Sequence, residues 1–184
     1  MFYEMKIAGL TRQLPLCPLN PELYIAGFIM FNDVELTVAA AEALLAKAPE
    51  FDAIVTAESK GIPLAYEMAR QAGNKPYLVF RKSKKLYMKN VITTEVDSIT
   101  TDHIQTLCLD GEDAALLKGK RVLVVDDVIS TGESLKSMMT LIDMIGDVEV
   151  VAQMAVLAEG SAADRDDIVF LEKLPLFDAQ GNPL

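Results

Sequence analysis

The chain is poor in the residues that build metal and redox centres. Its 184 residues include two cysteines, Cys17 and Cys108, and one histidine, His103. They lie far apart and form no Cys/His cluster, which argues against a zinc site. Positive charge is also scarce. Lysine and arginine number 17 against 27 acids, a formal net charge of −10, which argues against a nucleic-acid partner. No apolar run approaches the ~20 residues that a membrane-spanning helix needs. The opening Met1-Phe2-Tyr3-Glu4-Met5-Lys6 lacks the basic and apolar regions of a signal peptide. Internal repeats and low-complexity linkers are missing too. These absences describe a soluble, cytoplasmic protein without membrane partners. The length suits one α/β domain with its own core, residues 1–184, and is short for two.

What is present centres on one stretch, Arg121-Val122-Leu123-Val124-Val125-Asp126-Asp127-Val128-Ile129-Ser130-Thr131-Gly132-Glu133-Ser134. It opens as a β-branched apolar run, the pattern of a strand buried on both faces of a parallel sheet. Two adjacent acids follow, then a loop of small residues. Leu135, Met138, Met139, Ile142 and Ile145 then recur at helical spacing, and Gly146 offers a stop. Strand, acid pair, small loop and helix therefore follow in order. Open α/β sheets bind ligands at the carboxyl edge, where these acids are expected to leave the sheet. Carboxylates accept hydrogen bonds from vicinal hydroxyls such as those of a ribose. Residues 130–134 put backbone N–H groups at a helix N-terminus, which favours a phosphate. Thr131 and Ser134 add hydroxyls, and Gly132 permits close approach of the backbone. Together these groups suit a ribose 5-phosphate. On spacing alone, a core strand with an acidic turn and a plain helix cap fits equally well.

The whole segment resembles the 5-phosphoribosyl-1-pyrophosphate (PRPP) motif of the type I phosphoribosyltransferases. In that family an apolar strand runs into two acids and a Thr-Gly loop. Glu133 departs from it, because many members carry glycine there.

A second loop, Ala57-Glu58-Ser59-Lys60-Gly61-Ile62-Pro63, follows a short strand over residues 51–56. Pro63 suits the first turn of a helix reaching about Ala72. From the residues alone, a plain strand-to-helix loop with a solvated lysine is the favoured reading, ahead of an anion site. Glu58-Ser59-Lys60-Gly61, however, resembles the pyrophosphate loop of adenine phosphoribosyltransferases. That resemblance implies a cis peptide at Glu58–Ser59. A strand over residues 75–80 leads into Arg81-Lys82-Ser83-Lys84-Lys85-Leu86, a basic run on an otherwise acidic chain. It falls at a strand's carboxyl end, although such a run is also an ordinary solvated face. It resembles the Arg-Lys-x-x-Lys-Leu of the adenine enzymes, which implies that Arg81, Lys82 and Lys85 face a pyrophosphate.

Elsewhere the pattern is weaker. Residues 1–31 read as irregular, with Pro15, Pro18 and Pro21 breaking helix and central strand alike, although residues 24–31 are apolar enough for a strand or a covering flap. By the family resemblance, residues 1–31 form part of a variable hood, with 14–31 a wall of a nucleobase pocket and Leu16, Cys17 and Phe31 as candidates. Asn32 is read as the cap of a helix, with Glu35 closing a capping box and Val34, Val38, Ala41, Leu45 and Ala48 on the inner face. Residues 87–111 read as a two-stranded hairpin with a polar tip at 97–103, the flexible loop that the resemblance places over PRPP. The adenine enzymes usually carry Tyr-Ser-x-Glu at this tip, where this chain has Asp97-Ser98-Ile99-Thr100. Residues 147–159 and 168–171 read as strands, residues 164–167 as a solvated turn, and, by the resemblance, residues 165–184 as C-terminal hood and tail, with the tail frayed from Asp178.

The expected fold is a doubly wound, mainly parallel α/β sheet with a small hood and a hairpin loop. By resemblance, the activity is transfer of the phosphoribosyl group from PRPP to a purine, with release of pyrophosphate, in purine salvage. Adenine is the first choice of base, and xanthine or another 6-oxopurine the second. A non-catalytic PRPP-binding regulator is the alternative of a different class. Asp126 and Asp127 would hold the ribose hydroxyls, and Lys60 the departing pyrophosphate. Glu58, Ser59, Gly61, Ser130, Thr131, Gly132, Glu133 and Ser134 complete the PRPP set. Mg²⁺ would be held chiefly by PRPP itself, with Asp126 as the one possible protein ligand. A homodimer is implied by the same resemblance.

Overall fold

The computed structural model describes residues 1–97 and 104–184. The hairpin tip, including Ser98, Ile99, Thr100 and His103, lies outside the described residues.

Five parallel strands form the main sheet: β4 (Ala53–Ala57), β5 (Tyr77–Phe80), β8 (Lys120–Ile129), β9 (Val148–Glu159) and β10 (Val169–Leu174), in spatial order β10-β9-β8-β4-β5. Their side chains alternate between two cores. Leu123, Val125 and Ile54 point to one core, with α1 (Val34–Leu45) and α2 (Ile62–Gln71). Val122, Val124 and Val55 point to the other, with α4 (Glu133–Ile145). Helices on both faces explain why β8 reads as a continuous apolar run. From β4 the chain crosses through α2 to β5 on one side, while β8 leads through α4 to β9 on the other. The order therefore reverses between β4 and β8, and the crevice beyond their carboxyl ends is where such sheets take ligands.

The antiparallel pair β6 (Ile92–Asp97) and β7 (Ile104–Leu109) matches the expected hairpin. A short helix, α3 (Gly111–Leu117), follows it with Asp110 as cap. Its seven residues are too few for periodicity to show. No helix among the described residues is long and apolar enough to cross a membrane.

Four expectations need correction. Residues 1–31 are not irregular: β1 (Phe2–Ile7), β2 (Leu10–Pro18) and β3 (Tyr24–Ala26) make an antiparallel sheet. The prolines are accommodated because β2 changes partner part-way. Its ladder with β1 ends at Pro15, and its ladder with β3 runs from Leu16 to Pro18. Each proline of β2 therefore stands where a ladder stops. Helix α1 is capped by Asp33, whose carboxylate accepts the Leu36 amide at 3.1 Å, while Asn32 sits before it at φ 66°. Leu36, Ala40 and Leu44 point inward beside the expected Ala41, while Val34 and Val38 are exposed. The acid pair does not leave the sheet, since β8 continues to Ile129 with Asp126 paired to Ala155. The tail is not frayed. Asp178 accepts the amides of Gln180 and Asn182, and Phe177 bridges both Tyr24 and Pro183. Phe177 is fully buried and meets Tyr3 edge-on, which ties the C-terminus to the N-terminal sheet.

Candidate active site

Two strand ends meet across the switch point. From β8, Asp126 and Asp127 project as the strand's alternating partners. Asp127 is almost fully buried, and the Asp126 carboxylate accepts its amide at 2.9 Å. From the loop after β4, the Lys60 ammonium stands 3.0 Å from Asp127 Oδ2. The contact is an ion pair without hydrogen-bond alignment, since that oxygen has no hydrogen-bond partner. Burial, reinforced by the neighbouring charge of Asp127, pushes the Asp126 carboxyl up to about 7. Two acids side by side in a half-closed crevice thus hold more negative charge than their surroundings favour. Hydroxyl donors or a cation would relieve it.

The Glu58–Ser59 peptide is cis, at the bond where the family resemblance places it. Glu58 accepts the Lys82 amide at 2.9 Å and pairs with Arg81 at 3.1 Å, and these contacts hold its carboxyl below the usual range. Arg81 also donates to the Tyr87 hydroxyl at 2.9 Å. The basic run therefore divides. Lys82 reaches the crevice, Arg81 braces the cis loop from behind, and Lys85 donates to Ser83 at 2.7 Å.

A cavity of about 520 Å³ opens over the crevice, and Glu58, Ser59, Lys60, Lys82, Asp126, Asp127, Ser130 and Ser134 line it. Beside it, a hollow of about 230 Å³ is formed by residues 128–135 with Asp126. The hollow sits at the N-terminus of α4, where Gly132 takes φ 79° and its carbonyl accepts the Lys136 amide at 2.8 Å. N–H groups of a first helical turn have no partner within the helix, so the hollow suits an anion. Ser130, Thr131, Gly132, Glu133 and Ser134 all line it.

Other expected residues fall elsewhere. Gly61 lies beneath the site, where a methyl group would meet Thr56 Oγ1 and Asp126. Leu16, Cys17 and Phe31 do not line the large cavity. Leu16 packs on the core, Cys17 is exposed with its thiol towards the Pro15 carbonyl, and Phe31 borders a separate hollow between α1 and α2. Within the expected 14–31 stretch it is residues 25–29, following β2 around the edge of the N-terminal sheet, that line the large cavity. Two residues escaped the sequence reading. Glu159 ends β9 and lines the cavity, and the signal was an apolar strand closing in an acid, as in β8. Arg165, read as part of a solvated turn, lies against Gly132: a Cβ built there would be 2.8 Å from its Nη1.

An α/β sheet with a buried acid pair, a cationic loop and a helix start at one switch point belongs to the doubly wound class, and these groups together suit a phosphorylated sugar. The phosphoribosyl transferase domain model matches residues 33–182, and the chain belongs to that family. It is 39% identical over 106 residues to the adenine phosphoribosyltransferase of Petrotoga mobilis, covering 55% of this chain and 56% of that protein. It is 31% identical over 115 residues to the purine biosynthesis transcriptional repressor PurR of Bacillus subtilis, covering 62% of this chain and 39% of that protein. The chain thus spans about half the length of the curated relatives it matches. In structure it resembles the adenine phosphoribosyltransferase of Thermoanaerobacter pseudethanolicus, with a TM-score of 0.70 over 87% of this chain and 95% of that one. At 20% identity that likeness shows the fold alone.

Proposed function

We propose that the protein transfers the 5-phosphoribosyl group of PRPP to a purine, releasing pyrophosphate, with adenine as the preferred base. The observation that carries this reading is the meeting of Lys60 with Asp127 across the switch point, beside the hollow at the start of α4. In it the 5-phosphate sits among residues 130–134, and the ribose hydroxyls donate to Asp126 and Asp127. Both carboxylates then face the positive charge that develops on the sugar as the bond to pyrophosphate breaks. Lys60 and Lys82 stabilise the departing pyrophosphate, and Arg81 acts by holding the loop that presents Lys60. Residues 25–29 wall the base.

Among the described residues no group of three or more His, Cys, Asp or Glu could hold a metal ion by itself. One or two carboxylates beside substrate oxygens is a donor set that Mg²⁺ accepts, so Asp126 and Asp127 fit the ion only together with PRPP. Bound there, Mg²⁺ would neutralise part of the pyrophosphate charge. A homodimer belongs to the same reading, and light scattering on the purified chain measures it.

Adenine is supported by the Glu58-Ser59-Lys60-Gly61 loop and by the Petrotoga relative. A second reading, a PRPP-binding regulator, is supported by the Bacillus repressor. Incubation of adenine, hypoxanthine, guanine and xanthine together with Mg²⁺ and limiting PRPP separates them. The expected product is AMP with equimolar pyrophosphate, and adenine is used at least about tenfold better than the other bases. A dominant oxopurine nucleotide overturns the base assignment. PRPP binding without any nucleotide favours the regulator.

A further inference from the structure

We propose that Glu159 is the catalytic base that takes the ring N–H proton from the purine as its nitrogen attacks the ribose. This rests on the transferase reading above and deepens it. Transfer to a purine nitrogen releases a proton, and some group at the site must accept it. Among the described residues the cavity is lined by four carboxylates, those of Glu58, Asp126, Asp127 and Glu159. Three are engaged. Glu58 is fixed by Arg81 and the Lys82 amide, Asp126 accepts the Asp127 amide, and Asp127 faces Lys60. The Glu159 carboxylate has neither a hydrogen bond nor an ion pair among the described residues.

Its position is fixed by the sheet. Glu159 ends β9 and pairs in register with Leu174 of β10, while its neighbour Ala158 pairs with Ile129, just before Ser130. It thus stands between the phosphate loop and the hood side, because Leu174 and residues 25–29 line the same cavity. A purine seated against that wall, with its ribose over the acid pair, meets Glu159 on the way to the sugar. The charged groups sharing the cavity are Lys60 and Lys82 together with the three engaged acids, and Lys173 of β10 is directed instead to Asp164. Burial raises the Glu159 carboxyl, and Lys60 pulls it partly back. A base raised towards neutrality is better matched to proton transfer than an ordinary surface carboxylate.

The step balances. The purine nitrogen bonds to C1′, and the C1′–O bond to pyrophosphate breaks with its electron pair left on oxygen. The N–H bond breaks and its proton passes to Glu159, with no net oxidation.

The test compares the wild type with Glu159→Gln and Glu159→Asp, using PRPP, Mg²⁺ and adenine across neutral and acid pH. PRPP affinity is measured separately by calorimetry. Glu159→Gln should lose about 10²- to 10⁴-fold in kcat while holding PRPP as the wild type does. The acid limb of its pH profile should flatten, and Glu159→Asp should recover part of the rate. Glu159→Gln with a kcat near that of the wild type overturns the proposal. So does a loss of PRPP affinity that matches the loss of rate, which would assign the residue to the sugar phosphate. The wild type offers a check that needs no variant, since a log kcat that stays flat towards acid pH also overturns it. Failure of the underlying reading looks different: the wild type would bind PRPP and yield no nucleotide from any purine.

Discussion

Replacing Gly61 by alanine tests how the two halves of the site are pressed together. Gly61 has an ordinary φ of −73°, so its glycine is not required by the backbone. Space requires it. A Cβ there would stand 2.4 Å from Thr56 Oγ1, 3.2 Å from Asp126 Oδ1 and 3.4 Å from Asp126 Cα. The first contact is too short to survive, and Thr56 is fully buried in β4 with little room to move. Overpacking of this kind costs about 1–3 kcal/mol. In a chain of this size each kcal/mol lowers Tm by roughly 2–4 °C, so Gly61→Ala should melt roughly 2–12 °C below the wild type. Because the methyl also presses on Asp126, kcat/KM should fall further than stability explains. Thr56→Ala supplies the control. Its hydroxyl has no hydrogen-bond partner, so removing it leaves no polar group orphaned and makes room for the methyl. The double variant should therefore recover about 0.5–3 kcal/mol relative to the sum of the single changes. Calorimetric melting of all four proteins, with nucleotide formation measured alongside, decides the matter. Additivity within about 0.5 kcal/mol would refute the steric argument.

Gly132→Val should weaken PRPP binding at least about tenfold, because a β-branched residue at φ 79° is strained by about 1–3 kcal/mol and its Cβ would collide with the Arg165 guanidinium, shifting the loop that forms the anion hollow. Unchanged affinity by titration calorimetry would remove the hollow from the PRPP site. Asp126→Asn with Asp127→Asn should lower kcat by about 10²-fold or more while leaving Tm equal or higher near pH 8, since a repulsion is removed from the empty protein. Full specific activity in a destabilised double variant would make the acids structural. The pH dependence of stability has a defined sign: Asp126 holds its proton more tightly folded than unfolded, with a folded value of about 7. Its contribution is complete below the ordinary carboxylate range and is lost as pH rises from about 4 towards 7. Urea midpoints of the wild type should show this loss relative to the double Asn variant, and parallel pH curves for the two would refute the elevation.

The parts of the fold that sequence reveals are those whose environment repeats. β8 lies between two helical layers, so every residue from Val122 to Val125 is buried, and the run is apolar without interruption. Helix α4 carries its inner face at Leu135, Met138, Ile142 and Ile145 and stops at Gly146, where a positive φ is needed. The N-terminal sheet hides because its central strand serves two partners in succession. Pro15 and Pro18 then look like breaks, although they mark the ends of ladders. In α1, Asn32 and Asp33 are both good caps, and the inner stripe is wide enough to take Leu36, Ala40 and Leu44 beside the expected Ala41, while Val34 and Val38 face outward.

The candidate site divides along a different line. A motif that runs from strand into helix carries its own geometry, so Asp126, Asp127 and residues 130–134 fall together as their order implies. Partnership across the sheet is not written in local order. The basic run is visible as charge, but only the fold shows that Arg81 answers Glu58 while Lys82 faces the cavity. Glu159 lies 32 positions beyond Asp127 and reaches the same cavity only because β9 runs parallel to β8 in a fixed register. The cavity wall at residues 25–29 has the same origin, since these residues are placed by β3 pairing with β2 and by Tyr24 bridging Phe177. Local sequence thus accounts for the acid pair and the hollow that the proposed phosphorylated sugar would occupy. The residues that complete the proposed site, Glu159 and 25–29 among them, are delivered by long-range pairing, so no local motif announces them.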